Sequence, residues 1–457
     1  MRGSSRRVTL RNEGSVFTLA LLVIIVLGGI LWASQSFRSD LPEANFQFAQ
    51  KRLALLEAEN DRLRRVIEVR ERERSAEHRA ALRSEIENEV ERIRGLNFLH
   101  AVDYVTVTRN EVRDILASKI SAQYTDAEFS EMAFALGAIG LLPANFPLKE
   151  KYLDLLGEQI AAFYDQHEHK LYMFEDASLD TMENRVILVH ELTHALQDQH
   201  FHLSKLPLDV KDDDDRAFAA AALVEGEATL VMTEYLLRNF SVGDLKNTIA
   251  SMFTQNLQEL ASSPLYLREM LLFPYLRGQE FAMVLQAHGG YQQISDAYRQ
   301  VPESTAQILH PEKYLAEPKE RPVRIRFSDG VVFGQKPVVR NTLGEIGIQL
   351  LFTRWIGEEN GRSIASGWRG DRYVVFRSGG DSNIAWKTEW RNENDAREFA
   401  NGLDRYVSAR YGKDAVKRAI SVDLSGKSVL FIDSMNGKFR DALKQFAGVI
   451  SPVVDGG

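Results

Sequence analysis

Residues 181–201, TMENRVILVHELTHALQDQHF, contain no Pro or Gly and repeat apolar side chains at helical spacing, which predicts one helix of about six turns. Asp180 and Glu183 stand three residues apart, the spacing of a capping box at its start. Inside the helix lies HELTH, with His190, Glu191 and His194. Histidines at i and i+4 sit one turn apart on one face, so both imidazoles can reach a single zinc ion at about 2.1 Å. Glu191 lies about 100° round the helix from His190, close enough to act on a water at the metal without being a ligand. Metal-assisted hydrolysis needs this division of roles: the ion acidifies the water and the carboxylate takes its proton. Val186, Val189, Leu192 and Leu196 flank the motif, so the helix is apolar enough to be buried, where an uncompensated histidine pair is a poor core choice.

A third ligand is expected in FAAAALVEGEATLVMTEYL (218–236), a second helix that follows the acidic run Asp212–Asp215. The acids suit the positive end of that helix. Glu225 shares a stripe with Phe218, Ala221, Ala222, Thr229, Met232 and Leu236 and is the only charge on it, so it should be paired or metal-bound. Glu227 is about 200° away, in the stripe of Glu234 and Arg238, and is expected to face solvent. The metal set is therefore His190, His194 and Glu225, holding Zn²⁺.

HELTH followed by the Glu225 of VEGEA on a later helix resembles the gluzincin class of zinc metallopeptidases, in which two His and a downstream Glu hold zinc and the motif Glu activates water. The Glu225–Gly226 pair is similar to the Glu-Gly of gluzincin aminopeptidases. Thermolysin-like members carry an Asp four residues after the ligand Glu to orient a zinc histidine; here that position is Thr229, and Asp198 is the substitute to consider. Together with AAFYD (161–165), FPYLRGQEF (273–281) and PESTAQILHPEKYL (302–315), these motifs resemble an uncharacterised family of bacterial gluzincin-type proteins over about residues 95–320, with GWRGDRYVVF (367–376) a further match. The resemblance implies a zincin-like catalytic domain and a peptide or protein substrate.

The hairpin signalled by AAFYD and KLYMFED (170–176), on either side of the polar QHEH, resembles the edge strand along which gluzincins lay an extended peptide. His310, or Tyr314 after it, is a candidate donor to the oxyanion formed during hydrolysis. His167, His169, His200 and His202 lie in polar, turn-like settings that suit the surface. Trp368, Trp386 and Trp390 suit a core or an interaction face.

The remaining sequence sets location and organisation. The 457-residue chain has 56 Lys plus Arg against 64 Asp plus Glu, a net charge of −8, which gives no reason to expect a nucleic-acid partner. It has no Cys, which excludes disulfides, iron–sulfur clusters and thiolate chemistry. Residues 16–33, VFTLALLVIIVLGGILWA, form an uncharged run long enough to span a bilayer. Arg2, Arg6, Arg7 and Arg11 precede it and predict a single-pass anchor with a cytoplasmic tail (1–15) and an extracytoplasmic remainder.

Residues 40–94 read as a helical stalk, whose stripes Leu56–Leu63 and Leu82–Ile86–Val90–Ile93 offer a route to a homo-oligomer. The expected fold is α+β: a mainly helical metallopeptidase domain with a small sheet over 95–320, then an α+β domain over 321–457 with strands at VRIRF (323–327), RYVVF (372–376) and SVLFID (428–433). The expected function is a membrane-anchored zinc peptidase. The alternative is an envelope assembly or binding protein whose zinc is structural.

Overall fold

The computed structural model describes residues 43–159, 162–175, 177–240 and 257–447. The predicted anchor, 16–33, lies outside them, and among the described residues no helix is long and apolar enough to cross a membrane. The chain divides into two units, Met1–Ala81 and Leu82–Gly457. Helix α1 runs from Glu43 to Arg94 and so belongs to both. In the first unit its Leu63 is exposed. In the second unit Leu82, Ile86, Val90 and Ile93 are buried, packed with Val186, Leu188, Val189, Leu192 and Leu196 of the HELTH helix. The second stripe of the stalk thus closes on this chain's own core.

Mixed helix and sheet follow, in an α+β arrangement. Strand β1 (Asp103–Val107) leads into α2 (Arg109–Gln123), α3 (Asp126–Ile139) and α4 (Leu148–Gln159). The starts of α2 and α3 are fixed by capping boxes, Thr108 with Glu111 and Thr125 with Glu128. The expected hairpin is present as β2 (Ala162–Asp165) and β3 (Lys170–Phe174), paired antiparallel with Tyr164 opposite Leu171. β1 adds parallel to β3, so the sheet order is β1-β3-β2 and β2 is an edge.

Helices α5 (Met182–Phe201), α6 (Asp214–Asn239), α7 (Leu257–Ser262) and α8 (Leu265–Ala297) come next, then the short α9 (Thr305–Leu309) and α10 (Pro311–Leu315). α8 is broken at Gly289 and Gly290, whose backbone leaves helical geometry. Two helices, α11 (Gly344–Ile356) and α12 (Glu358–Ala365), lie between β4 (Val339–Asn341) and β5 (Trp368–Ser378). β6 (Asp381–Trp390), α13 (Glu393–Tyr411), β7 (Ala419–Ser425), β8 (Ser428–Ser434) and α14 (Gly437–Ala447) complete the described chain. The second sheet is antiparallel, in the order β4-β5-β6-β8-β7.

One core takes Leu136, Leu223 and Phe281 from before residue 320 and Ile348, Trp386, Phe399 and Phe431 from after it, so the two stretches are fastened face to face. Trp368, Trp386 and Trp390 are all buried in it. The buried carboxylate of Asp371 accepts four N–H bonds, from the Trp368 and Trp386 indoles and from Leu343 and Gly344 at the start of α11. The segment VRIRF, expected as a strand, is not a strand of either sheet and meets β5 at one point only: Val323 N–H is bonded to Arg369 O, Ile325 and Phe327 are buried, and Arg326 is exposed.

The crossing of α6 and α8 positions the site. A Cβ on Gly226 would lie 2.1 Å from the backbone of Gly278, and one on Gly278 would lie 2.1 Å from Ala222 O, so only a pair of glycines lets these backbones touch. Gly278→Ala should therefore destabilise the protein by about 3 kcal/mol, against under about 0.5 kcal/mol for Gly380→Ala in open space, measured by urea unfolding.

Candidate metal centre

α5 begins one residue later than the sequence suggested: Thr181, not Asp180, is its N-cap, and its hydroxyl accepts Asn184 N–H. Along α5, His190 and His194 fall on one face, their rings edge to face at 4.6 Å. α6 brings Glu225 against them. His190 Nε2 and His194 Nε2 lie 3.0 Å apart, and Glu225 Oε2 is 3.1 Å from the first and 3.3 Å from the second. Ligands about 2.0–2.1 Å from a tetrahedral zinc stand about 3.3 Å from one another. The three atoms thus form nearly one face of such a tetrahedron.

Among the described residues this is the one His/Asp/Glu group able to hold a metal ion, and it is the set expected from sequence. Its electrostatics favour a positive charge at the centre. Burial works against ionising Glu225, yet the two imidazoles hold its carboxyl far below the usual range. Burial likewise opposes a charged His194, but Glu225 raises its pKa to about 9.

The orientation of His194 comes from a network that the sequence reading missed. Its Nδ1 lies 2.8 Å from Gln197 Oε1, an acceptor, so this nitrogen carries a proton and Nε2 is the one that a bound metal would deprotonate and engage. Gln197 donates in turn to Val224 O and Glu227 Oε2. Glu227, expected at the solvent face, is instead wholly buried, where it accepts from Arg94 and from the Tyr298 hydroxyl. The face opposite a ligand looked solvated because its cation lies 133 residues away in sequence. Asp198 does not orient a metal ligand. Its carboxylate holds Tyr164 OH, His169 Nδ1 and Leu203 N, and so ties the β2–β3 hairpin to the end of α5. Thr229, where the thermolysin-like pattern has Asp, returns its hydroxyl to Glu225 O.

Glu191 is aimed at β2. Its Oε2 accepts the Tyr164 N–H at 2.7 Å, a donor on the edge of β2 not paired to β3. Burial raises the Glu191 pKa, with the two imidazoles opposing. On the other side Tyr275, from the FPYLRGQEF stretch of α8, stacks on His190 with centroids 6.0 Å apart and remains 41% exposed. The charge of Glu225, then burial and the charge of Glu191, push its phenol pKa well above 10, so the hydroxyl keeps its proton. Gly278, one turn beyond Tyr275, sets how closely this part of α8 approaches α6.

His310 and Tyr314 are engaged elsewhere. His310 Nε2 is 2.6 Å from Glu345, which also holds Lys313, and the buried Tyr314 donates to Gln300 O. Both are pinned into the α9–α11 region, and the structure does not bring them to the metal centre. His167, His169 and His202 are exposed, in keeping with a surface role.

Residues 332–443 match a family described as a domain of unknown function (DUF8575). The match covers β4 to α14 and none of the metal-centre residues. No curated protein and no solved structure matches the chain.

The position of Glu227 is directly testable. Removing one partner of a buried ion pair leaves the other charge stranded, so Glu227→Ala should lower stability by about 3–5 kcal/mol, read from denaturant unfolding. Glu358→Ala, in an exposed pair with Arg362, should change it by less than about 0.5 kcal/mol.

Proposed function

We propose that this chain is a zinc-dependent peptidase held at a membrane by residues 16–33, with its catalytic part extracytoplasmic. The observation that carries the reading is the convergence of His190, His194 and Glu225 on one point, with Glu191 beside them and bonded to the edge strand β2. Three protein ligands among the described residues would leave the fourth position of a tetrahedral zinc to water, which a closed structural site does not.

Zinc bound by the three ligands would polarise the scissile carbonyl and acidify the attacking water. The chain's own residues divide the rest of the work. The edge of β2 aligns an extended peptide by main-chain hydrogen bonds. Glu191 accepts the proton of the attacking water and delivers it to the departing amine. Tyr275, protonated and partly exposed beside His190, takes the role expected of His310: it donates a hydrogen bond to the oxygen on which negative charge develops. Gln197, backed by Glu227 and Arg94, holds the His194 ring in place.

The test is metal analysis and peptide-library cleavage on the same preparations. Wild type should carry one zinc and cleave. Glu191→Gln should keep the zinc and lose about a hundredfold or more in kcat, and Tyr275→Phe should lose about ten- to a hundredfold in kcat with little change in zinc content. Glu225→Ala should lose zinc. A wild-type protein that binds zinc in a closed four-ligand site and cleaves nothing would instead establish the structural role.

A further inference from the structure

A cleft of about 1050 Å³ opens where the end of α5, the first turns of α6, the end of α8 and the extended segment 321–327 meet. Nine of its lining side chains are Lys or Arg and four are Asp or Glu. An excess of five positive charges in one cleft runs against the chain's net −8. Five of the cations already have carboxylate partners, for example Arg324 with Asp213 and Glu303, and Arg372 with Asp212. Lys205, Arg216, Lys319 and Arg326 have none among the described residues. Lys319 lies 3.7 Å over the Tyr314 ring and donates only to a backbone oxygen, Tyr314 O. Arg326 is placed by the alternation of VRIRF, in which Ile325 and Phe327 are buried and hold the segment against the body of the protein.

The arrangement selects among anions. A compact phosphate favours donors converging on one point, commonly a free helix N-terminus. Here the helix that starts at the cleft, α6, has no free N-terminus to offer, because the Asp213 side chain caps it by accepting the Arg216 N–H. The four unpaired cations come instead from separate stretches of chain, around an open cleft larger than a single small ligand requires. Carboxylates spaced along an extended backbone, at about 3.3 Å per residue, match that distribution.

We propose that this cleft docks an acidic segment of a polypeptide, an extended run of Asp or Glu residues whose carboxylates pair with Lys205, Arg216, Lys319 and Arg326. The docking is independent of hydrolysis, so its test needs no turnover.

The experiment uses the full chain in detergent with a chelator present, and follows the fluorescence anisotropy of a labelled peptide of alternating Glu and Ser against its Gln and Ser twin. The acidic peptide should bind at least about tenfold more tightly than the neutral one, and more weakly as salt rises. The triple variant Lys205→Glu, Arg216→Glu, Arg326→Glu should lose about tenfold or more, while Arg397→Glu, an exposed charge on α13, should stay within about twofold. Should the triple variant fail to fold, Arg326→Ala alone should weaken binding about two- to fivefold. Equal binding of the two peptides, or variants without effect, would overturn the proposal. So would tripolyphosphate or a single-stranded DNA oligonucleotide binding tenfold more tightly than the acidic peptide with the same dependence on these residues.

Discussion

A carboxylate with no access to water is tolerable only if it is paired with a cation and well hydrogen-bonded, and Glu227 meets that condition through Arg94 on one oxygen and Gln197 and Tyr298 on the other. Each partner comes from a different part of the chain: the end of α1, the HELTH helix and the end of α8. Arg94 is fastened further by Ser295, and its guanidinium lies over the Tyr291 ring. Take this group away and the second unit loses the polar tie among three helices that an apolar core also holds together. The same hydrogen bonds run through Gln197 to His194, so one satisfied charge both ties the helices and orients the ring proposed to hold a metal.

What the sequence revealed depended on range. His190, Glu191 and His194 were legible because their relation is set by a single helix, and Glu225 because one charge interrupted an apolar stripe. The hairpin was legible for the same reason, since its alternation lies within a few residues. The stripe rule failed at Glu227, where a face bearing charge was read as wet although Arg94 supplies the missing partner from afar. Tyr275 was unreadable as a site residue because only the Gly226–Gly278 crossing brings its ring to His190.

His310 shows the opposite error. It was read as a donor to the oxyanion, yet its ring serves Glu345 in a structural pair. VRIRF likewise has the alternation of a strand, but it meets β5 only at Val323 N–H and Arg369 O, and is otherwise held by the buried Ile325 and Phe327 and by the ion pairs of Arg324. Alternation establishes that a segment has two faces, and only tertiary context decides whether a neighbouring strand meets its backbone.

The break in α8 at Gly289 and Gly290 makes that helix two levers rather than one. The arm before the joint carries Tyr275 and is clamped to α6 where two backbones touch; the arm after it carries Ser295 and ends at Tyr298, anchored to the buried charge. Rotation at a joint of two side-chain-free residues is transmitted poorly from one arm to the other. Each arm therefore has its own fastening, the phenol against His190 by steric contact and the support of His194 by hydrogen bonds, while Glu234 of α6 spans the joint by accepting from Gln286 on one arm and Tyr291 on the other.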